Sequence, residues 1–245
     1  MQIYIGTSGW TYEHWRGGFY PPDLPQSRWF AYYVQHFPVV EINATFYRTF
    51  KDQTYLKWYN HTPPDFRFIL KAPRLITHRK YLENVAEDIQ KFDRSARLLA
   101  EKLGLILLQL APATPYDVPR LRTALQSFQD PTKVAIELRS AKWITDEVLS
   151  LLKELGVTYC NPDSPRTPLS SIVTSASLYF RLHGRRRWYA HNYTDEELLD
   201  IAQRALQTES QGVENAYILF NNDFEGFAPQ NALKLMQLIA QIQGN

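Results

Sequence analysis

Three short stretches place polar or ionisable side chains two residues apart, the spacing that puts both on one face of a strand. "VVEIN" carries Glu41 and Asn43, "VAIELR" carries Glu137 and Arg139, and "LYFRLHG" carries Arg181 and His183, each pair set among apolar neighbours. Lys71, Gln109, and Asn221 with Asn222 close three further apolar runs, "FRFILKA", "LILLQL" and "AYILFNN". The chemistry on offer is acid–base work on an anion. Glu41 and Glu137 suit a general base and acid, and His183 a proton shuttle. The guanidinium forks of Arg139 and Arg181, with the point charge of Lys71, suit phosphate or carboxylate. The expected catalytic residues are therefore Glu41, Glu137 and His183. Asn43, Lys71, Gln109, Arg139, Arg181, Asn221 and Asn222 are expected to bind substrate, with Trp10 and Tyr47 as aromatic walls. The competing explanation is structural, because buried strand charges are usually ion pairs; Glu41 with Arg181, or Glu137 with Lys71, would be such pairs. A core that had only to be stable would be apolar at so many strand ends, which favours a site.

Eight β-rich runs position these groups: residues 3–6, 39–43, 66–72, 105–110, 134–139, 157–161, 178–184 and 216–222. Helical periods lie between them, as in Leu82, Val85, Ala86, Ile89, Phe92 and Ala96. A capping box of Thr194 and Glu197 opens the run through Ala205. A last helix begins near Pro229 and presents Ala232, Leu235, Met236, Ile239 and Ile242 on one face. Gly104 and Gly156 stand before strands as helix stops. This alternation predicts an α/β chain forming a single (β/α)8 TIM-type barrel over residues 1–245, with active-site groups at the C-terminal strand ends. On that fold Val40 and Ile42 face outward, and Glu41 and Asn43 face inward. The sixth crossover, "NPDSPRTPLSSIVTSA", has three prolines and no helical period, so it is expected to be irregular. An open doubly wound sheet is the alternative, but no glycine-rich phosphate loop follows the first strand.

Composition narrows the classes. The formal charge of +2 on 245 residues does not mark a strongly electrostatic partner. No run is long and apolar enough to span a bilayer, and no basic-then-apolar leader is visible, so a cytoplasmic protein with no membrane partner is expected. Cys160 is the only cysteine, which excludes an internal disulfide. A divalent metal held by Glu41, Glu137, Asp163 and His183 is the weaker reading, since no HxH or HExxH spacing supports it; the cofactor stays unassigned. The 15 Tyr, 13 Phe and 6 Trp exceed what a core needs and suggest a ligand cleft. Two segments concentrate them. Residues 7–26, "TSGWTYEHWRGGFYPPDLPQ", are far longer than a usual connection of roughly 2 to 6 residues. "HGRRRWYAHNY" interleaves Arg185, Arg186 and Arg187 with Trp188 and Tyr189, which suits stacking on bases beside phosphates. The partner expected is thus a small anionic ligand, with a nucleotide or single-stranded nucleic acid as the alternative for a non-catalytic binder. Packing of the same aromatics over the strand ends is the plainer explanation.

Taken together, "IGTSGWTYEHWRGGFYPP", "VVEINATFYRT", "FRFILKAPRLITH", "LILLQLAP", "IELRSAKW", "YFRLHGRRRWY" and "YILFNND" resemble the domain of unknown function 72, or YecE-like, family, in order and over nearly the whole chain. The resemblance implies a TIM-type barrel and brings no reaction with it. Its motif residues fall on Glu41, Asn43, Lys71, Gln109, Glu137, Arg139, Arg181, His183, Asn221 and Asn222. "QLAP" and "RSAKW" depart from the family pattern, so the groups just after Arg139 carry no expectation.

Overall fold

Buried β-branched and leucine-rich runs become the strands of a closed parallel barrel with strand order β1 to β8, seen in a computed structural model that describes residues 1–244. The chain order is β1 (Gln2–Ser8), α1 (Trp29–Val34), β2 (Val39–Ile42), α2 (Ala44–Tyr47), α3 (Asp52–Asn60), β3 (Arg67–Lys71), α4 (Ala86–Ala96) and β4 (Leu103–Gln109). It continues with α5 (Val118–Gln126), β5 (Val134–Glu137), α6 (Asp146–Leu155), β6 (Thr158–Asp163), β7 (Ser177–Leu182), α7 (Asp195–Gln207), β8 (Asn215–Phe220) and α8 (Phe227–Gln243). This is the (β/α)8 barrel that the alternation predicts. No helix lies among the described residues between β6 and β7, so the sixth crossover is irregular as expected.

The chain gathers into two compact units. One comprises Met1–Glu41, Asn161–Val173 and the chain from Ser177 onward. Within it β8 pairs with both β1 and β7, with Tyr217 opposite Tyr4 on one side and Tyr179 on the other. The Tyr4 and Tyr217 rings stack at 5.1 Å. The long first connection is not an open aromatic cleft: Trp15 and Tyr20 are each 1% exposed, and Tyr20 stacks on Trp29 at 4.7 Å. Each such ring buries about 150–250 Å², so these residues serve the core of this unit. Tyr33 locks the connection to the sheet, because its hydroxyl accepts from Thr7 N at 2.9 Å and donates to Val39 O at 2.9 Å.

The other unit comprises Ile42–Cys160 and Thr174–Ala176. In it β3 pairs with β4 through a register shift between Phe68 and Ile69, after which Lys71 lies opposite Leu107, and on β4 Gln109 lies opposite Glu137. Helix α6 stops at Gly156, whose φ of 66° is the left-handed conformation a C-cap needs. Gly104 is not a stop: it lies inside β4, and the preceding helical turn is broken at Ala100, with φ 46°. Leu82, with φ 66°, falls outside α4, and Asn43 has helical backbone ahead of α2 instead of extending β2. In the first unit the Thr194–Glu197 capping box forms as expected. On α8, Ala232, Leu235 and Ile239 are buried while Ile242 is exposed, because the helix outruns the sheet it covers.

Candidate functional site

In the unit built on β1, β7 and β8, alternation along β7 puts Tyr179, Arg181 and His183 on one face. Glu41 lies at 0% exposure and accepts Arg181 Nε at 2.8 Å and Nη2 at 2.7 Å, a bidentate fork. The Tyr179 hydroxyl donates to the same carboxylate in a short bond. Arg181 Nη1 faces His183 Nε2 at 3.2 Å. A guanidinium only donates, so it can bond this nitrogen only in the tautomer that leaves Nε2 unprotonated. Nδ1 in turn lies 2.9 Å from Asn221 Nδ2, an amide donor, so each ring nitrogen faces a donor. The sequence order of these residues conceals one connected chain: Tyr179 and Arg181 on Glu41, then His183, then Asn221.

A second group in this unit surrounds Asp223. Trp15 Nε1 donates to its carboxylate at 2.8 Å and His14 Nε2 lies 3.3 Å away. Burial raises the pKa of Asp223, with His14 and Trp15 opposing. Tyr12, whose hydroxyl donates to Ser8 O at 2.6 Å, is held protonated by burial and by the charges of Asp223 and Glu41. Asn222 takes no part in either group: its amide donates to His191 O at 2.8 Å and to Asn231 at 2.7 Å, tying β8 to α8. Trp10 is half-buried against Phe30 at 4.7 Å. In the arginine run, Arg185 is taken by Asp163 at 2.9 Å and Asp200 at 2.7 Å, and Trp188 packs 5.5 Å from His183. Burial raises the Asp163 carboxyl while Arg185 pulls it down. Tyr189, 45% exposed, is the aromatic of this run that faces solvent.

In the unit built on β3, β4 and β5, Glu137 is fully buried and accepts Gln109 Nε2 at 2.8 Å and Arg139 Nη1 at 2.7 Å. Lys71, at the end of β3, sets its Nζ 4.4 Å from the centre of the Phe46 ring. His78 packs on the same ring at 5.0 Å, and its Nδ1 lies 2.8 Å from the Thr77 hydroxyl. Burial lowers the His78 pKa, and Lys71, Arg74 and Arg139 lower it further, with Glu137 acting the other way. Burial and the cationic neighbours thus both favour the uncharged imidazole at His78. Asn43 is half-buried ahead of α2, and Tyr47 stands 71% exposed.

Gln109, Glu137 and Arg139 thus meet within one unit, which also holds Lys71, and Glu41, Arg181, His183 and Asn221 meet within the other. Sequence reasoning missed Tyr179, which strand parity with Arg181 would have found. It also missed His78, which sits on a helical turn after β3, where no strand or helix period points to it. Among the described residues no three His, Cys, Asp or Glu side chains gather as a metal would require. No described helix is long and apolar enough to cross a membrane.

The family described as "Protein of unknown function DUF72" matches residues 4–245. UPF0759 protein YunF of Bacillus subtilis is 27% identical, over 97% of this chain and 94% of its own length. UPF0759 protein YecE of Escherichia coli is 34% identical over 140 residues, 56% of this chain and 48% of that protein. The crystal structure of a DUF72 family protein from Thermotoga maritima matches at a TM-score of 0.85 and 30% identity, over 98% of this chain and 100% of that one.

Proposed function

The chain belongs to the DUF72 family, and from that premise and the geometry of its strand ends we propose that it is an enzyme acting on a small phosphate-bearing substrate, with the anion held at the ends of β3 to β5. The observation that carries this reading is the charge around His78, where Lys71, Arg74 and Arg139 outnumber the opposing carboxylate of Glu137. Such a locale lowers the free energy of a bound anion and keeps the imidazole unprotonated until one arrives. Lys71 and Arg139 bind the phosphoryl oxygens. Glu137, gripped by Gln109 and Arg139, holds the Arg139 fork in place. With Nδ1 engaged by Thr77, His78 Nε2 is the nitrogen that exchanges a proton with the substrate.

For Glu41 and His183 the geometry favours positioning over proton transfer. Three donors fill the Glu41 carboxylate, and one nitrogen of His183 faces a guanidinium. A cytoplasmic location, where phosphorylated metabolites are retained, belongs to the same reading.

The test is histidine NMR titration with inorganic phosphate. A phosphate beside His78 favours the imidazolium and raises its midpoint, and Lys71→Met removes most of that response. A screen of phosphorylated metabolites then seeks turnover, which His78→Asn lowers by about 10²–10⁴-fold. A His78 midpoint that ignores millimolar phosphate would count against the reading.

A further inference from the structure

Beside the His78 group, and sharing Phe46 and Arg74 with it, a cavity of 840 Å³ opens between α3 and α4 under the segments that follow β2 and β3. That lies within the range of about 300–1,000 Å³ typical of small-molecule sites. Six of its lining residues are cations: Arg48, Lys51, Arg74, Arg79, Lys91 and Arg94. Two are carboxylates, Asp52 and Asp88, and both are engaged: Asp52 accepts from Ser95 at 2.7 Å and Asp88 pairs with Lys80 at 2.7 Å. The lining therefore carries +4 in a chain whose total is +2. Among the described residues Lys51, Arg79, Lys91 and Arg94 make no ion pair, so this charge is not spent on the fold. Unpaired like charges held together repel one another, a cost that a bound polyanion would relieve.

The walls specify the rest of the ligand. Tyr47 stands 71% exposed at the rim, and Phe50 lies beneath the Arg48 guanidinium at 4.6 Å. Deeper in, Ile76 and Phe92 supply apolar surface. Tyr55 is 1% exposed, yet its hydroxyl makes no hydrogen bond among the described residues. Burial, with Asp52, pushes its pKa up to about 12, so it stays a donor. A simple inorganic anion would use the cations and leave the rings idle, whereas a planar ring bearing phosphate uses both.

We propose that this cavity binds a nucleotide, its phosphates on Lys91, Arg94 and Arg79 and its base against Tyr47 and Phe50. The same chemistry is presented by a free nucleotide and by one nucleotide of a single strand. This site shares Arg74 and Phe46 with the surroundings of His78 but places its phosphates on other cations, so Lys71→Met separates the two readings.

Calorimetric titration of the full chain with ATP, adenosine, inorganic phosphate and a short oligothymidylate tests it. ATP is expected to bind at least about tenfold tighter than adenosine or phosphate, and to weaken as salt rises. Lys91→Glu with Arg94→Glu, both exposed on α4, should weaken ATP at least about tenfold while the melting curve stays unchanged. Tyr47→Ala should weaken ATP but not inorganic phosphate. Oligothymidylate binding tighter than ATP and lost in the same double variant would identify a single strand as the source; weaker binding would identify the free nucleotide. Lys71→Met should leave ATP affinity within about twofold. A flat ATP isotherm overturns the proposal, as does ATP binding that survives the double variant or disappears with Lys71→Met.

Discussion

Glu41→Gln distinguishes a carboxylate kept for chemistry from one that holds an arginine. In the wild-type protein Glu41 accepts two charge-assisted bonds from Arg181, at 2.8 and 2.7 Å, and one from Tyr179. Glutamine keeps one oxygen for the fork and presents an amide donor where the second carboxylate oxygen was. The Tyr179 hydroxyl can rotate to accept that donor, but the guanidinium cannot. One charge-assisted bond is then lost, worth about 1.5–3 kcal/mol. Arg181, 2% exposed, also becomes a buried cation without its counter-charge. Breaking one side of a buried pair costs about 3–5 kcal/mol in all. For a chain of this size that lowers the melting temperature by about 6–20 °C. The assay is a thermal melt of purified Glu41→Gln beside wild type, with Glu41→Leu/Arg181→Met as the companion. Removing both charges leaves none uncompensated, so the double variant should recover most of the loss. A single variant that melts within about 2 °C of wild type would refute the girder role and return Glu41 to the catalytic residues.

Other expectations follow from the same geometry. His78 should titrate below its ordinary value of 6.5, and Lys71→Met should raise its midpoint; an NMR midpoint at or above 6.5 in wild type contradicts the cation ring. Because its folded pKa lies below the unfolded one, the unfolded chain binds its proton first. The His78 contribution to stability is thus fully present above pH 6.5 and is lost as pH falls through the folded pKa, a slope that His78→Asn should flatten in denaturant melts. Arg185→Ala leaves the Asp163 carboxyl, 1% exposed, without its partner and should cost about 3 kcal/mol, less at acid pH where Asp163 takes up a proton. Gly184→Ala should destabilise by well over about 1 kcal/mol in a urea melt, since φ is +104° and the new Cβ would sit 2.7 Å from Arg187 O and from His191 Cβ.

Much of the barrel was legible because strands buried on both faces read as continuous apolar runs, and polar residues at alternate positions stand out against them. Glu41, Glu137 and Arg181 were found that way, and Tyr179 was within reach of the same test. Partnership was harder to read. Glu41 and Arg181 lie 140 residues apart, and the sequence offered their pairing only as one of two explanations. The Glu137 carboxylate accepts Arg139 from its own strand end, a choice decided by side-chain reach that periodicity cannot express. Gly104 misled because a glycine before an apolar run resembles a cap, whereas the chain turned at Ala100 and β4 began one residue earlier than the glycine. His78 and the α3–α4 cavity were illegible for another reason. Their cations come from the ends of β3 and β5, from the segments that follow β2 and β3, and from α4, and share no period.

The irregular sixth crossover changes how the barrel should come apart. Asn161 organises it, accepting Ser170 Oγ at 2.6 Å and Ile172 N at 2.9 Å and donating to Ile172 O at 3.0 Å. Where another βα unit lays down an amphipathic helix, this flank is closed by an amide hub and a small Ser164–Thr167 bridge. Exposing apolar surface is what gives unfolding its denaturant sensitivity and its heat-capacity increment. A segment held largely by hydrogen bonds, with Leu169 as its buried apolar side chain, has less of either to release than a helix would. Its backbone amides should therefore exchange with solvent deuterium through an opening that urea hardly promotes, while those of the neighbouring strands wait for the global transition. The barrel would then carry a seam: one arc whose local opening is nearly independent of the forces that hold the rest together.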